Sequence, residues 1–454
     1  MIRRRLLYAG VVFAVLCPLA AAEDWSRFLG PSGQLRGEAS DNTPTEFGQD
    51  QNVRWKTALP GRGVSSPIVV GSKVFVTCYS GYGMGDDKGT VADLKRHLVC
   101  VDRETGDAVW TRTVDGVAEE DLYEGIGVPA HGYASHTPVS DGQRVFAFFG
   151  KSGVHAFDLD GHPLWQTDVG NESGPQRWGS SCSPILYKDM VIVLASEESR
   201  SMIALDAKTG SERWRQEAGD FESTWSTPVI VEAEDGRVDL CVNVPGEVWG
   251  LNPDTGKLRW YARGTEDNST AASLVPGDGI VIATGGRGGN AVAIRVGGNG
   301  DVNESHVLWE AQIPGRFATP VLHDGKLFTY GDAVLSVFDV QTGQRISQTR
   351  LTDASARGGS GGEGGSRGGG RRGGFGRGGM MNMDYASPVL VGDQIYILTR
   401  SGTVYVTTAA DKPEVVATNR FEGDSGFGGT PAISGGELLI RSDTALYCVS
   451  KRET

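Results

Sequence analysis

The sequence predicts an all-β protein, an eight-bladed β-propeller of four-stranded antiparallel blades closed by its own N-terminal strand. Three observations predict this class: a repeat of 43 to 46 residues, tryptophans at a fixed place in that repeat, and an N-terminal segment that can complete the last blade. The 66 glycines fit it, because many short strands need many tight turns, and glycine adopts a positive φ there without strain.

Each repeat opens with a Ser/Thr-Pro pair in front of a short apolar strand. Seven copies are intact, and Ala272-Ser273-Leu274 is an eighth copy without the proline. The intact pairs are Ser66-Pro67, Thr137-Pro138, Ser183-Pro184, Thr227-Pro228, Thr319-Pro320, Ser387-Pro388 and Thr430-Pro431. Repeats without insertions have the length of four strands, so eight openings predict eight blades.

A D-x-x-T-G-x-x-x-W phrase follows the third strand of several repeats, as in Asp102 to Trp110 and Asp206 to Trp214. Its aspartate and Thr-Gly form a turn, and its tryptophan begins the outer strand, where a large ring can pack against the next blade. We therefore predict a structural role for the blade tryptophans Trp55, Trp110, Trp165, Trp214, Trp260 and Trp309.

The last repeat supplies only three strands before the chain stops. Residues 52–59, around Trp55, precede the first repeat and have no other partner. We predict that they pair with the last three strands, complete the eighth blade and so remove its open edge.

The A-x-D-x-x-T-G-x-x-x-W repeat, clearest in residues 204–214, resembles the PQQ-like (quinoprotein-like) β-propeller repeat. That repeat is shared by quinoprotein dehydrogenases and by the BamB-like propeller subunit of the bacterial β-barrel assembly machinery. The lead-in at residues 25–31 resembles that of exported bacterial members. The resemblance covers residues 25–452 and implies the fold, whereas it leaves the activity open because fold does not determine function.

Residues 1–22 are predicted to be a Sec-type signal peptide cleaved after Ala22. Three arginines at positions 3–5 precede an apolar run that ends in Ala20-Ala21-Ala22, which is the usual order of a secretory signal. A retained membrane anchor is the alternative, but the run is short for a span. Residues 23–454 would then form a single propeller domain, periplasmic or extracellular, with no transmembrane segment.

Removing the signal changes the formal net charge from −13 to −16, because it removes three arginines. An acidic body argues against nucleic acid or anionic lipid as the main partner. The five remaining cysteines are odd in number and form no C-x-x-C motif, so we expect free thiols and no metal site.

Four long connections are predicted to lie on one face of the ring: residues 80–96, 115–132, 285–290 and 353–384. Insertions on one face of a repeat protein often mark its binding surface, although loops also lengthen wherever packing permits. The Arg/Gly-rich insert at 354–383 is expected to be disordered, either as a basic arm or as a solvated loop with no partner. We predict that this face binds a protein or an anionic polymer.

Aromatic and polar residues precede the inner strands and should converge on the mouth of the central channel. They either rim a funnel for a polar or anionic ligand or plug the channel. The candidates are His131, Tyr133, His136, Arg177, Trp178, Glu222, Trp225, Arg316, Phe317, Asp384 and Tyr385.

The function predicted from these features is a non-catalytic scaffold without cofactor, catalytic residue or metal. The alternative that the resemblance implies is a PQQ- and calcium-dependent dehydrogenase of alcohols or sugars, with Trp178 or Trp225 as stacking platform and Asp384 or Glu222 as base. The vicinal cysteine pair of such alcohol dehydrogenases is absent from the sequence, as are the common hydrolase motifs.

Overall fold

The computed structural model describes residues 24–40, 42–49, 51–85, 89–285, 289–351, 383–424 and 426–451. The predicted signal peptide lies outside these ranges, and so does the Arg/Gly-rich insert apart from Met383. Within them, eight antiparallel sheets form a ring, so the predicted eight-bladed propeller is confirmed. No helix in these ranges is long and apolar enough to cross a membrane.

The strands follow the repeats in chain order. Two strands precede the first repeat: β1 (Arg36–Gly37) and β2 (Val53–Ala58). Blade 1 contains β3 (Ile68–Val70), β4 (Lys73–Ser80), β5 (Lys95–Asp102) and β6 (Ala108–Asp115). Blade 2 contains β7 (Val139–Ser140), β8 (Arg144–Phe148), β9 (Val154–Asp158) and β10 (Pro163–Thr167). Blade 3 contains β11 (Ile185–Tyr187), β12 (Met190–Ala195), β13 (Ser201–Asp206) and β14 (Glu212–Glu217).

The remaining blades repeat this order. Blade 4 contains β15 (Val229–Glu232), β16 (Val238–Val244), β17 (Glu247–Leu251) and β18 (Leu258–Arg263). Blade 5 contains β19 (Val275–Pro276), β20 (Ile280–Gly285), β21 (Asn290–Arg295) and, after the short β22 (Gly300–Asp301), β23 (Val307–Gln312). Blade 6 contains β24 (Val321–His323), β25 (Lys326–Gly331), β26 (Val334–Asp339) and β27 (Arg345–Arg350). Blade 7 contains β28 (Val389–Val391), β29 (Gln394–Leu398), β30 (Thr403–Thr408) and β31 (Val415–Arg420). Blade 8 contains β32 (Ala432–Ser434), β33 (Glu437–Arg441) and β34 (Ala445–Val449).

Short helices occur only in connections of the described chain. They are the α-helices α1 (Gly127–His131) and α2 (Asn303–His306) and the 3₁₀ helices Val91–Asp93, Gly150–Ser152 and Gly219–Phe221.

The N-terminal strand closes the ring as predicted. Strand β2 runs antiparallel to β34, with Trp55 opposite Cys448 and Ala58 opposite Ala445, and it forms the outer strand of blade 8. Two further strands extend blades in a way the sequence did not indicate: β1 pairs in parallel with β28, and β22 pairs in parallel with β18. Each covers a strand edge that would otherwise be open.

Most blade tryptophans bridge from an outer strand to the turn of the next blade. The Trp110 indole donates a hydrogen bond to the Leu159 carbonyl, 3.1 Å away, and its ring lies on Gly161. A Cβ on Gly161 would lie 2.7 Å from that ring, so the turn needs glycine for space as well as for its φ of +85°. The same bond joins the pairs Trp55–Arg103, Trp165–Ala207, Trp214–Pro253 and Trp309–Val340.

Trp260 makes a different contact. Its indole donates to the Asp239 carboxylate within its own blade, at 2.7 Å, and it is fully buried. The next blade has Gly297-Gly298-Asn299-Gly300 in place of the T-G turn, and β22 instead pairs alongside Trp260. The missing turn therefore explains why this indole finds its acceptor inside blade 4.

The Ser/Thr of each repeat opening links the inner strands around the axis. The Ser66 amide donates to the Thr137 hydroxyl at 2.9 Å, and each following amide donates to the hydroxyl of the next blade up to Thr430. The degenerate repeat keeps Ser273 and loses only the proline, because the hydroxyl makes this link. We call the eight residues Ser66, Thr137, Ser183, Thr227, Ser273, Thr319, Ser387 and Thr430 the hydroxyl ring.

The two faces of the propeller differ. The loop-bearing face carries the links between blades and the loops between second and third strands, and the short-turn face carries the other turns. The protein core lies between adjacent blades, and the five cysteines of the described chain are free and buried within it.

Candidate functional site

A cavity of ≈170 Å³ lies on the axis of the ring and is walled by the hydroxyl ring. All eight of these residues are more than nine-tenths buried. Serine and threonine side chains therefore form the wall of the cavity, and other residues close its two ends.

Phe28 forms the floor of the cavity. It belongs to residues 24–37, which cross the short-turn face: Asp24 accepts the amide of the turn residue Gly71, and the Trp25 carbonyl accepts the Val69 amide in blade 1. On the other side of the ring, the Gln34 side chain donates to the Pro276 carbonyl in blade 5, at 3.0 Å. The lead-in seen in the sequence thus spans the axis and closes the channel at this face.

Two aromatic pairs form the mouth on the loop-bearing face. Trp178 and Trp225 stack with ring centroids 5.5 Å apart and planes inclined by 26°. Phe317 and Tyr385 meet at 4.8 Å, and the Arg316 guanidinium lies 4.9 Å from the Phe317 ring centroid. All five line the cavity, so the structure brings together Arg316 and four of the five tryptophan, tyrosine and phenylalanine residues predicted at the mouth.

His131 also lines the cavity and holds the first pair in place. Its Nε2 donates to the Trp178 carbonyl at 2.8 Å, and Nδ1 lies 2.6 Å from the Ser135 hydroxyl. Burial lowers the pKa of His131, which favours the neutral ring, and a neutral ring protonated at Nε2 is compatible with the bond to the Trp178 carbonyl. The Trp225 indole donates to the Gly179 carbonyl at 2.7 Å. Both bonds fix the link that carries Trp178.

Two other candidates lie away from the cavity. Tyr133 is buried among Tyr79 and Tyr82, and its hydroxyl donates to the Asp121 carbonyl at 2.6 Å. His136 is buried beside Phe148, and burial lowers its pKa to about 3. His136 packs between blades because it alternates with Ser135 and Thr137, which line the cavity. Tyr133 lies in the turn that follows α1 and packs with the other two tyrosines instead.

Three polar candidates do not line the cavity either. Arg177 is exposed with a φ of +52°, and Glu222 lies 3.9 Å from Arg200. Asp384 accepts the Tyr330 hydroxyl at 2.9 Å and the Arg400 amide at 2.7 Å. Glu222 and Asp384 therefore make their contacts outside the cavity, and none of the three residues lines it.

Buried ion pairs that the sequence did not reveal hold the long link at residues 115–132. Arg96 pairs with Glu120 at 2.6 Å, and Lys151 pairs with Asp121 at 3.3 Å, with every one of these side chains at most 4% exposed. The acidic residues were visible in the insertion, but their cationic partners come from β5 and from the connection after β8. This loop is therefore fixed against the blades.

Glu197 and Glu198 form a second unpredicted feature, beside the mouth. Both are buried, and each has one carboxylate oxygen without a hydrogen-bond partner among the described residues. Burial raises the pKa of both carboxyls to about 7. Glu198 accepts the Ser180 hydroxyl and Glu197 accepts the Ser223 amide, so they lie behind the links that carry the two tryptophans. A Glu-Glu pair in a turn gives no sequence signal for burial.

The ring of PQQ-like repeats with an axial cavity defines a propeller of the quinoprotein-like class. A family model described as outer membrane protein assembly factor BamB matches residues 79–216 and 191–366. The chain belongs to this family.

The similar proteins include both an assembly factor and a dehydrogenase. The chain is 25% identical to outer membrane protein assembly factor BamB of Burkholderia pseudomallei (strain K96243) over 374 residues, covering 76% of this chain and 84% of that protein. It is 23% identical to a polyvinylalcohol dehydrogenase of a Pseudomonas species over 299 residues, 46% of either chain. The structure of quinohemoprotein alcohol dehydrogenase from Comamonas testosteroni is similar with a TM-score of 0.64 at 11% identity, covering 96% of this chain and 83% of that one. The structural likeness shows the fold alone.

Proposed function

We propose that this protein is an exported, non-catalytic scaffold that binds a protein partner through its loop-bearing face, with the axial cavity receiving one group of that partner. The observation that carries the proposal is the mouth itself: two half-buried aromatic pairs lead into a cavity that Phe28 closes at the other end. Export rests on the signal predicted at residues 1–22.

The mouth has the composition and order of a protein-binding hot spot. Tryptophan, tyrosine and arginine dominate such spots because they bury a large area in a defined geometry. Here His131 and Gly179 fix the tryptophans through hydrogen bonds, and buried ion pairs fix the neighbouring link. A preformed surface loses less conformational entropy on binding. The name of the Burkholderia relative, an assembly factor, is consistent with a partner-binding role.

The described residues that line the cavity do not fit the calcium ion that the dehydrogenase alternative requires. Calcium takes carboxylate and amide oxygens, yet none of the described lining residues is an aspartate, glutamate, asparagine or glutamine. Asp384 already accepts two hydrogen bonds elsewhere. No group of three or more His, Cys, Asp or Glu residues that could hold a metal occurs in the described chain. A PQQ-dependent dehydrogenase is therefore the second candidate, favoured by similarity to the polyvinylalcohol dehydrogenase.

Photo-crosslinking in the native cell envelope tests the proposal. A crosslinking amino acid at Phe317 is expected to capture a defined protein, and the double variant Trp178→Ala/Trp225→Ala is expected to lose it. Leu164→Ala is the matched control, because Leu164 is an exposed apolar residue on an outer strand far from the mouth. Equal capture by the double variant would overturn the proposal.

A reconstitution assay tests the alternative. The purified protein with PQQ and Ca²⁺ is expected to reduce no dye with alcohols, sugars or polyvinyl alcohol. Saturable turnover would contradict the scaffold proposal and support the dehydrogenase alternative.

A further inference from the structure

We propose that β6, the outer strand of blade 1, is a docking edge for an extended polypeptide segment with β-branched residues at its centre and cationic side chains at its ends. The segment adds a fifth strand to the four-stranded sheet of this blade. The inference goes beyond the proposed function, because β6 lies at the rim of the ring and the mouth lies at its axis.

Strand β6 is the longest outer strand of the described propeller. It has eight residues, whereas the other seven outer strands have five or six. Strand β5 pairs along the whole of it, from Ala108 to Asp115, so all eight residues are held extended. Eight extended residues span about 26 Å, and this length accommodates a partner strand of ordinary size.

One row of backbone groups of β6 points away from the sheet. The Gly116 amide donates to the Leu94 carbonyl, next to β5, at 2.8 Å, and the backbone groups of successive residues in an antiparallel strand point to alternate sides. The N–H groups of Thr111 and Thr113 therefore face outward, and no residue of the described chain accepts them. The Thr111 carbonyl accepts the neighbouring Arg112 side chain at 3.2 Å, so the outward row is mainly a row of donors.

The other outer strands have protection that β6 lacks. Sheet edges are commonly protected by charged side chains, by proline, by shortness or by a covering segment. The chain itself covers blades 4 and 7, where β22 pairs with β18 and Gly48 bridges to Arg420 in β31. Strand β14 has four charged residues among six, and β10 is short and begins with a proline. No segment of the described chain covers β6.

The exposed side chains of β6 favour pairing with another strand. Val109, Thr111 and Thr113 are exposed and β-branched, and residues of this type are enriched in strands. The charged Arg112 is turned to the neighbouring blade, where it donates to the Gly161 carbonyl. A long edge with uncharged exposed residues is a template for strand addition, in which main-chain hydrogen bonds supply the affinity.

Carboxylates at both ends of β6 determine the charge of the segment. Asp107 precedes the strand and is exposed, and the Asp115 side chain at its end is 78% exposed, although Lys95 pairs with it. Glu104, in the turn before the strand, is 83% exposed and only 3.9 Å from Arg54. Complementary charges steer partners and set their register. A second copy of this chain has the same formal net charge of −13, so a cationic segment of another protein fits better.

Titration of the full chain with short peptides tests the edge. The probe is the terminally blocked peptide Lys-Val-Thr-Val-Thr-Val-Lys, and fluorescence anisotropy of an attached dye measures its binding. The same peptide methylated at its five central amides is expected to bind at least 10-fold more weakly, because it cannot form the ladder. Absence of binding by the first peptide, or equal affinity of the methylated one, would contradict the proposal.

A charge-reversed peptide tests the acidic ends separately. The counterpart with glutamate in place of both lysines is expected to bind at least 5-fold more weakly at low ionic strength, and salt should reduce this difference. Equal affinity of the lysine and glutamate peptides would show that the assigned charge of the partner is wrong.

Variants at Thr111 separate the backbone from the side chain. Thr111→Pro removes one outward N–H at a sheet edge, where proline is tolerated, and is expected to weaken the lysine peptide at least 5-fold. The matched Thr111→Val keeps the N–H and the branched shape and should keep the affinity. If Thr111→Pro does not fold, as judged by its thermal transition, hydrogen exchange of the wild-type protein decides. The peptide is expected to slow exchange at Thr111 and Thr113, and unchanged exchange there would refute the docking edge.

Two further measurements distinguish the occupant and the site. Light scattering that shows a dimer of the wild-type protein and a monomer of Thr111→Pro would mean that β6 pairs with a second copy, contrary to the assignment. Trp178→Ala/Trp225→Ala is expected to leave peptide binding unchanged, and Thr111→Pro is expected to leave crosslinking at Phe317 unchanged. Failure of the docking edge and failure of the proposed function are therefore separate results.

Discussion

The indole of Trp178 stacks on the indole of Trp225 with ring centroids 5.5 Å apart. The backbone next to Trp178 also accepts a hydrogen bond from the Trp225 ring. The Trp225 indole donates to Gly179, the neighbour of Trp178, while His131 holds the Trp178 carbonyl. Trp178 also packs so closely on Gly127 that no side chain would fit there. The tryptophan side of the mouth is therefore preformed in the protein without a partner.

Trp225→Phe separates the ring from its hydrogen bond. The variant keeps an aromatic face but loses the 2.7 Å bond to Gly179, so we expect the free energy of unfolding to fall by about 1 kcal/mol. Crosslinking to the partner should persist with Phe and disappear with Trp225→Ala. Chemical denaturation and crosslinking yield measure the two effects, and an equal loss of partner in both variants would show that the bond matters more than the stacked ring.

Gly161→Ala tests the bridge between blades 1 and 2. The new Cβ would lie 2.7 Å from the Trp110 ring at a φ of +85°, so we expect a loss of stability on the order of 2–4 kcal/mol, from backbone strain and displaced packing together. Gly142→Ala is the control, because its φ of +83° is nearly the same and its Cβ would meet nothing within 4 Å. Similar urea midpoints for the two variants would mean that the tryptophan contact contributes little.

The features that recur in every blade could be predicted from the sequence, whereas a feature that occurs once, such as the position of Phe28, could not. The opening Ser/Thr and the closing tryptophan recur because every blade needs the same link to its neighbour, so eight blades and the closure by Trp55 followed from the pattern. Phe28 occurs once, and its position depends on anchors as distant in sequence as Val69 and Pro276. No sequence motif near Phe28 indicates that residues 24–37 cross the short-turn face of the ring.

The mouth was predicted in part for a similar reason. Trp178, Trp225 and Tyr385 line the cavity, whereas Arg177 and Asp384, their neighbours in sequence, do not. Adjacent residues of an extended link point in different directions, and the sequence alone does not say which one faces the axis. Trp260 is a further example. Its indole donates to Asp239 within its own blade, because residues 297–300 of the next blade lack the T-G turn, and the repeat that contains Trp260 does not show this.

Glu198→Gln is expected to stabilise the protein increasingly as pH rises above 4.5, with most of the gain reached by about pH 7. The folded-state pKa of about 7 lies above the ordinary value of 4.5, so between these values the folded state binds the extra proton, and its stability falls as pH rises through this window. The neutral amide removes that loss, a gain on the order of 1–3 kcal/mol at pH 8 and close to none at pH 4.

Thermal melting of the two proteins from pH 4 to 8 measures this difference. Glu172→Gln serves as control, because Glu172 is an exposed carboxylate paired with Arg200 on the surface, and surface pairs contribute about 0–1 kcal/mol. A pH-independent difference between wild type and Glu198→Gln would show that the carboxyl is not desolvated in solution.

Phe28→Ala is expected to lengthen the cavity by removing its floor. Phe28 is the only aromatic residue of the segment at 24–37 that lines the axial cavity, so its removal opens space toward the short-turn face while the anchors of the segment stay in place. A crystal structure of the variant should show an axial cavity larger than the ≈170 Å³ of the wild-type protein. Leu29→Ala is the control, since Leu29 is buried in the same segment without lining the axial cavity and should lose comparable stability without enlarging that cavity. Equal enlargement in both variants would indicate general loosening of the segment, because only truncation at the floor itself can make room along the axis.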